Sequence, residues 1–412
     1  MLSELFTVVT PSDALAALLH AATPVERSEI VPLHEARGRV LDRSIVAVET
    51  IPHFPRALMD GFAVRAADTR GASEAAPAYL RLTGEVLMGT VPLGAVGSYE
   101  AVRIHTGAML PPGADAVVMM EETNLHGAEV EVLAAAPPGD NVLLPGEDIR
   151  SGATAFEAGT RLDVAALGGL AALGYGEVAV RSRPRIAILS TGDELIPIDA
   201  VPRAAQVRDI NAVTVAATVE AAGGVALPGG IVPDDAAALT ERALGVLKEA
   251  DGLVVSAGSS VSHRDVTAGA IARLGGPGIL AHGIAIRPGK PTIVAICGGK
   301  PVVGLPGNPA SAVVVAWRIV GPLVRMLGGE RGVASHAQGT LDAVLSVDLP
   351  SRPGREEYVP CRLDYGASPP QATPIFGESN LIFTLVRSDG LAIVPFDRSG
   401  LHAGERVRVV LR

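Results

Sequence analysis

Apolar residues fall at helical spacing over residues 10–22 (T-P-S-D-A-L-A-A-L-L-H-A-A), where a threonine cap and an acidic first turn mark a helix start. Pro32–Val40 reads as a second short helix that leads into L-D-R-S-I-V-A-V. Two prolines and an Asp-Gly make Ile51–Val64 (I-P-H-F-P-R-A-L-M-D-G-F-A-V) an irregular loop entering a strand. From Tyr79 to Asp148 the period drops to two. Y-L-R-L-T-G-E-V-L, E-A-V-R-I-H-T-G-A-M-L, A-D-A-V-V-M-M-E-E and A-E-V-E-V-L are strands broken by Gly and Pro, which predicts a small all-β module. Residues 160–174 return to helical spacing as a capped helix expected to pack back on the N-terminal helices.

Pro184 opens a different regime. Arg185–Ser190 is an apolar strand, Ile210–Ala222 a helix stopped by Gly223-Gly224, and Val225–Val232 a strand. Asp234-Asp235 precedes a helix whose Leu239, Ala243, Leu247 and Ala250 share one face, and Leu253–Ser256 is again a strand. A further helix is expected from Asp265, then two more strands, and finally V-G-L-P-G-N-P-A-S-A-V-V-V-A-W over Val303–Trp317. This alternation predicts a doubly wound parallel sheet. After Gly328, strand-like Gly339–Leu349, Glu356–Leu363, Leu391–Phe396 and Val407–Arg412 predict a C-terminal β-domain. The expected division is a helical N-terminal part (1–50 with 150–183), an inserted β-module (51–149), an α/β domain (184–330) and the C-terminal β-domain (331–412).

Composition narrows the partners. With 48% hydrophobic and 19% charged residues over 412 positions, the chain is a folded protein of several domains. Its formal net charge of −10 argues against nucleic acid as a partner, since that binding draws on Lys and Arg. Cys297 and Cys361 are isolated and read as reduced core residues. No basic-then-apolar leader is evident, nor an uninterrupted apolar run of about 18 residues, so a cytoplasmic protein away from membranes is expected.

In a parallel sheet the ligand site lies beyond the carboxyl ends of the strands. Here those ends carry Thr191, Gly192, Asp193 and Glu194 in S-T-G-D-E-L, Ser256, Gly258 and Ser259 in S-A-G-S-S, and Pro306, Gly307, Asn308 and Pro309 in L-P-G-N-P. The last loop runs into a helix N-terminus at Ala310 and Ser311, an arrangement suited to an anion. Asp193, Glu194, Asp234, Asp251 and Asp265 are the carboxylates, a donor type that suits Mg²⁺ with substrate phosphates. Arg287 and Lys290 in A-I-R-P-G-K-P flank a Pro-Gly bend that lets both face one anion. Plainer readings stand beside these. Asp234 and Asp235 are good helix caps, Asp251 is structural, Arg287 and Lys290 fit a solvated hairpin, and Asp60 fits an Asp-Gly turn. Ser256, Ser259 and Ser260 lack the His-Asp pattern of a serine nucleophile.

M-D-G-F-A-V, R-I-H-T-G-A, G-A-D-A-V-V, N-V-x-x-x-G-E-D, S-T-G-D-E-L, A-I-R-P-G-K-P and L-P-G-N-P-A-S-A occur in this order over nearly the whole chain. Together they resemble the MoeA-type molybdopterin molybdenumtransferases, the family that includes the gephyrin E domain. The resemblance implies an elongated, four-domain subunit in a homodimer, with a MogA-like α/β domain and a β-barrel-like C-terminal domain. It implies adenylylated molybdopterin and molybdate as substrates, Mg²⁺ as cofactor, AMP release on molybdenum insertion, and contact with other proteins of the same biosynthesis. Carried over by motif, the catalytic residues would be Asp60, Thr106, Glu194, Asp234, Asp265 and Lys290, with Asp60 and Thr106 completing the partner protomer's site. Asp234 and Asp265 would hold metal. Thr191, Gly192, Asp193, Ser256, Gly258, Ser259, Arg287, Pro306, Gly307, Asn308, Pro309, Ser311, Arg355 (P-G-R) and Ser379 (G-E-S-N) would bind substrate.

The chain departs from the family at Ala257, where S-G-G is usual, at Arg287, where Lys is common, and at Phe62 and Ile210. Two alternatives stay open: a molybdopterin adenylyltransferase, against which stands the lack of a T-G-G-T-G loop, and a non-catalytic molybdopterin-binding scaffold.

Overall fold

The computed structural model describes residues 8–257, 261–333 and 339–411, without the side chains of 261–265. Two units divide the chain: Met1–Arg43, Ala158–Leu167 and Gly176–Arg412 in one, Ser44–Glu157 and Gly168–Tyr175 in the other.

The larger unit is built on a six-stranded sheet in the order Val225–Val232, Arg185–Thr191, Gly252–Ala257, Lys300–Pro306, Ile293–Cys297, Pro277–His282. Its first four strands run parallel, and Ile293–Cys297 is antiparallel to both neighbours. That reversal follows from the two-residue turn Gly298-Gly299, whose φ angles of 55° and 78° are those of a tight hairpin that glycine enters freely. The strands read as unbroken apolar runs because both faces are covered. Ile186, Ile188, Val254 and Val303 pack into one core with Ile210–Ala221 and the helical stretch after Pro309, whereas Ala187, Leu189, Leu253 and Val255 pack into a second with Ala236–Leu247.

Pro309–Leu327 has the length and the mean hydropathy, 1.5, to cross a membrane, but 67% of it is buried inside this unit. It serves as a core helix, with a π-helical turn at Ala316–Val320.

The C-terminal sheet orders Glu356–Asp364, Gln371–Pro374, Thr340–Leu345, Arg406–Leu411 and Gly390–Val394, and a pairing of Glu356–Asp364 with Gly390–Val394 closes it into a barrel. Its core is made of small and branched residues such as Ala343, Leu345, Val359, Ala392 and Val409. Ile286–Arg287 adds to this barrel in parallel, placing Arg287 opposite Glu357.

The N-terminal helix Pro11–Ala21 is capped by Thr10 and buries Ala14 and Leu18. The helix expected at Pro32–Val40 does not form. Ser28–Pro32 is instead a strand paired with Glu177–Arg181, followed by a single 3₁₀ turn at Leu33–Glu35. Gly38, at φ 74°, then turns the chain so that Leu41 can bridge Val180.

The second unit contains a six-stranded sheet ordered Ala116–Met119, Gly61–Val64, Glu100–Ile104, Ala78–Val86, Glu129–Val132, Thr123–His126. Along Gly61–Val64, Phe62 and Val64 enter one core and Ala63 the other, so this central strand is buried on both faces.

Candidate active site

At the carboxyl end of Arg185–Thr191 the buried Thr191 hydroxyl donates to Asp234 Oδ1 at 2.8 Å, with the Pro233 carbonyl at 3.1 Å. The Asp234 amide in turn donates to Asp193 Oδ1 at 3.3 Å. Asp235, not Asp234, caps the following helix, accepting from the Ala238 amide at 2.8 Å. Asp234 is thereby left at the strand edge. A Cβ on Gly192 would lie 2.7 Å from Glu194 Oε2, so the glycine lets the Glu194 carboxylate fold back over the loop. Asp251 is structural, as expected, and accepts from Arg27 and from the Arg185 amide.

The middle of the edge is tied by a residue that sequence reasoning passed over. Asn211, 7% exposed in the first turn of Ile210–Ala221, donates through Nδ2 to Ser256 Oγ at 2.8 Å and to the Gly307 carbonyl at 2.9 Å. Its signal in the sequence was a polar residue two positions after the Asp209 cap, at a helix position that faces the sheet. Ala257 ends a regular strand, paired with Thr191 and Pro306, and is not among the non-glycine residues with positive φ. The departure at that position therefore adds no backbone strain. Phe62 is 1% exposed in its core, where a tyrosine hydroxyl would need a partner.

Beyond Pro306 the chain enters a cavity of about 640 Å³ whose lining includes Arg287, Lys290, Pro306, Asn308, Ser311, Arg355, Glu357 and Ser379. Asn308 Nδ2 donates to Ser379 Oγ at 2.8 Å, and the Ala310 amide donates to the Ser379 carbonyl at 3.0 Å. Glu357, 6% exposed, accepts from two cations, Arg287 Nη1 at 2.8 Å and Arg355 Nη2 at 3.2 Å, and from the Ser351 hydroxyl at 2.6 Å. Sequence reasoning also missed Glu357; its signal was a carboxylate at an inward position of an alternating strand. Lys290 is exposed, and its ammonium has no hydrogen bond or ion pair among the described residues. The larger cavity, about 1400 Å³ and lined by Trp317, Arg318, Arg406 and Arg408 among others, contains none of the candidate site residues.

The second unit carries its own acidic group. The Thr106 amide and hydroxyl both donate to Asp60 Oδ1, at 2.7 and 2.9 Å. These bonds, the backbone one foremost, hold the Asp60 carboxyl below its usual range, with smaller help from His105 and Arg103. Gly61 is required beside it, because a Cβ there would stand 2.0 Å from the Val118 carbonyl oxygen.

Gly258 and Ser259 lie outside the described residues, as does the side chain of Asp265 in the helix Val261–Ala272. Among the described residues no three His, Cys, Asp or Glu side chains gather as a metal centre. Of the two residues expected to hold metal, Asp234 lies at the strand edge as a hard oxygen donor of the type Mg²⁺ takes, and the Asp265 side chain lies outside the described residues.

Three family models match in chain order: the MoeA N-terminal region (domains I and II) over residues 9–174, a probable molybdopterin binding domain over 187–326, and the MoeA C-terminal region (domain IV) over 342–411. A molybdopterin molybdenumtransferase of Nostoc is 35% identical over 390 residues, covering 93% of this chain and 88% of that protein. Molybdopterin molybdenumtransferase 2 of Mycobacterium tuberculosis is 32% identical, with 96% of each chain covered. The crystal structure of a molybdopterin biosynthesis MoeA protein from Pyrococcus horikoshii superposes with a TM-score of 0.82 at 30% identity, over 98% of this chain and 100% of that one.

Proposed function

Because this chain belongs to the MoeA family of molybdopterin molybdenumtransferases, we propose that it transfers molybdenum from molybdate to adenylylated molybdopterin and releases AMP. It is a transferase of molybdenum cofactor biosynthesis. The observation that carries the finer reading is the cavity in which Arg287, Lys290 and Arg355 meet Ser311 and Ser379. Cations and hydroxyls around one space suit a tetrahedral oxyanion, with room left for part of a larger substrate. Arg287 and Arg355 are fixed by Glu357, whereas Lys290 is a point charge free to follow the anion as it reacts.

Thr191, Gly192, Asp193 and Glu194, with Asp234 and Asp265, are assigned to the phosphoanhydride at the strand ends; Ser256, Gly258, Ser259, Gly307, Asn308 and Pro309 are assigned to the rest of the substrate. Asp234 and Asp265 would hold Mg²⁺, which would supply neutralisation of phosphate charge during loss of AMP. Thr191 orients the Asp234 carboxylate through its hydroxyl bond to Oδ1. Asp60, kept ionised by Thr106, is assigned to the same reaction. A homodimer and a cytoplasmic location go with this reading.

The test is AMP release from adenylylated molybdopterin by purified protein, with and without Mg²⁺ and molybdate. Release that needs both, with molybdenum retained on the pterin, supports the proposal. Tight pterin binding without AMP release, also with tungstate in place of molybdate, refutes it and leaves a binding scaffold.

A further inference from the structure

The end of the second unit's sheet holds more titratable groups than Asp60. Gly61 pairs with Ile104 and Phe62 with Arg103, and on its other side Arg103 pairs with Glu85. Directly opposed residues share a face, as do residues two apart along a strand. Glu85, Arg103 and His105 therefore lie on the face of Phe62 and Asp60, with Asp60 and His105 each one residue beyond its strand. Three adjacent chain segments thus bring two carboxylates, a guanidinium and an imidazole to one end of this face. Asp60 and Glu85 are exposed there, and Arg103 and His105 are half-buried. Glu121 and Glu122 follow Met120, whose amide donates to the Asp60 carbonyl from the next strand over.

The contacts of this group leave one ring nitrogen open. Glu85 Oε1 lies 2.8 Å from His105 Nε2 and 3.7 Å from Arg103 Nε. An ionised carboxylate can only accept, so Nε2 carries the proton and the lone pair of the neutral ring sits on Nδ1. Nδ1 has no partner among the described residues, and it is not one of the buried unpaired atoms, so it meets solvent. Asp60 cannot serve in its place. Two bonds from Thr106 to Oδ1 hold the Asp60 carboxyl below its usual range, which keeps it ionised and makes it a poor proton acceptor near neutrality. The Thr106 hydroxyl proton is already committed to Asp60. Imidazole is the side chain suited to exchange protons near neutral pH, and His105 supplies one at this face.

We propose that His105 is a general base in the reaction to which Asp60 is assigned, with Glu85 as the residue that positions its ring. This rests on the function proposed above, in which AMP is released. His105 Nδ1 takes a proton from water as the water oxygen bonds to the adenylyl phosphorus. The bond from that phosphorus to the bridging oxygen breaks, AMP leaves with the water oxygen, and the pterin side keeps the bridging oxygen. The proton then passes from Nδ1 to solvent. Glu85 keeps the lone pair on Nδ1 by holding the proton on Nε2, and the positive charge that appears on the ring is balanced by Glu85 and Asp60.

The deciding variant is His105→Ala in the full chain, assayed by single-turnover AMP release from adenylylated molybdopterin with Mg²⁺ and molybdate. The wild-type rate should rise with pH through the imidazole range. The variant should lose that rise and run about a hundredfold slower on the alkaline side, and added imidazole should restore part of the rate. Glu85→Ala should slow release about tenfold and remove the single Nε2–H tautomer from the His105 ring-nitrogen NMR signal, whereas Glu85→Gln, which keeps an acceptor, should restore most of both. A His105→Ala chain with the wild-type rate and pH profile overturns the proposal. So does a slower chain whose pH profile is unchanged and which imidazole does not restore, because the ring is then structural. A wild-type chain that releases no AMP at any pH is a different failure: it overturns the parent reading and this one with it.

Discussion

Glu357→Ala is the perturbation whose effect can be worked most fully from the structure. The carboxylate is 6% exposed and accepts three hydrogen bonds. The Ser351 hydroxyl at 2.6 Å is a short bond to a charged acceptor, worth about 1.5 kcal/mol. The Arg355 side chain is 28% exposed and its bond is 3.2 Å long, so about 1 kcal/mol is assigned to it. Arg287 is 55% exposed, and solvent screening holds its share to about 0.5 kcal/mol despite the 2.8 Å distance. The expected loss is therefore about 3 kcal/mol, with about half of that for Glu357→Gln, which keeps one acceptor but no charge. Because the chain has several units, a single melting curve does not isolate this loss. Amide hydrogen exchange along Glu356–Asp364, and at Ile286 and Arg287 which pair with it, does. A double-mutant cycle with Arg287→Ala should show a coupling of about 0.5 kcal/mol. A strand whose exchange is unchanged in Glu357→Ala, or two losses that simply add, would refute the account of Glu357 as the residue that fixes both guanidinium groups.

Two further outcomes follow from the second unit. Gly61→Ala should destabilise it by about 2 kcal/mol or more, since the added carbon meets the Val118 backbone at 2.0 Å rather than a side chain that can move, and denaturation followed by exchange at Ala116–Met119 measures this. Thr106→Val removes the hydroxyl bond to Asp60 but keeps the amide bond, so the Asp60 pKa should rise only part of the way toward its ordinary 3.8. Because the folded pKa is depressed, the stabilisation from this pair is present above the unfolded value and disappears as pH falls through the folded one. Carboxyl NMR titration reads the shift, and an identical titration in the variant would show that the hydroxyl contributes nothing.

Much of the α/β architecture was legible because its strands are short apolar runs that end in Gly-containing polar loops, a pattern set by burial on both faces. The helix wrongly expected at Pro32–Val40 shows the limit: five residues of a strand paired 145 or more positions away, Ser28–Pro32 with Glu177–Arg181, carry no local mark of that partner. The cations were legible as residue types at a bend, Arg287 and Lys290, and so was the structural role of Asp251. What could not be read was which groups consume each other. Glu357 and Asn211 are ordinary polar residues in the sequence, and only long-range pairing places one against two arginines and the other between two loops. Cys297 and Cys361 are buried thiols, as expected, and burial raises the pKa of each, Cys361 to about 11, so neither is a nucleophile near neutrality.

The L-P-G-N-P loop matters less as an anion cradle in its own right than as the piece that joins the other parts. Its Gly307 carbonyl is held by Asn211, which also holds Ser256. One residue on, Asn308 holds Ser379, and Ala310 binds the Ser379 backbone, so the loop grips a segment that lines the cationic cavity. The two prolines stiffen it. Pro306 closes the strand in register with Ala257, and Pro309 opens the buried helix that fills the core. A ligand that shifts the strand-end loops must therefore either shift Ser379 and the cavity with them or break a bond to a stiff loop. Breaking costs about 1 kcal/mol per bond, so displacements of the strand-end loops and of Ser379 are coupled by a free energy of that order. The short apolar strand, rigid loop and small-residue helix are what make that coupling possible, since a larger side chain at Ala310 or Ala312 has no room in the core.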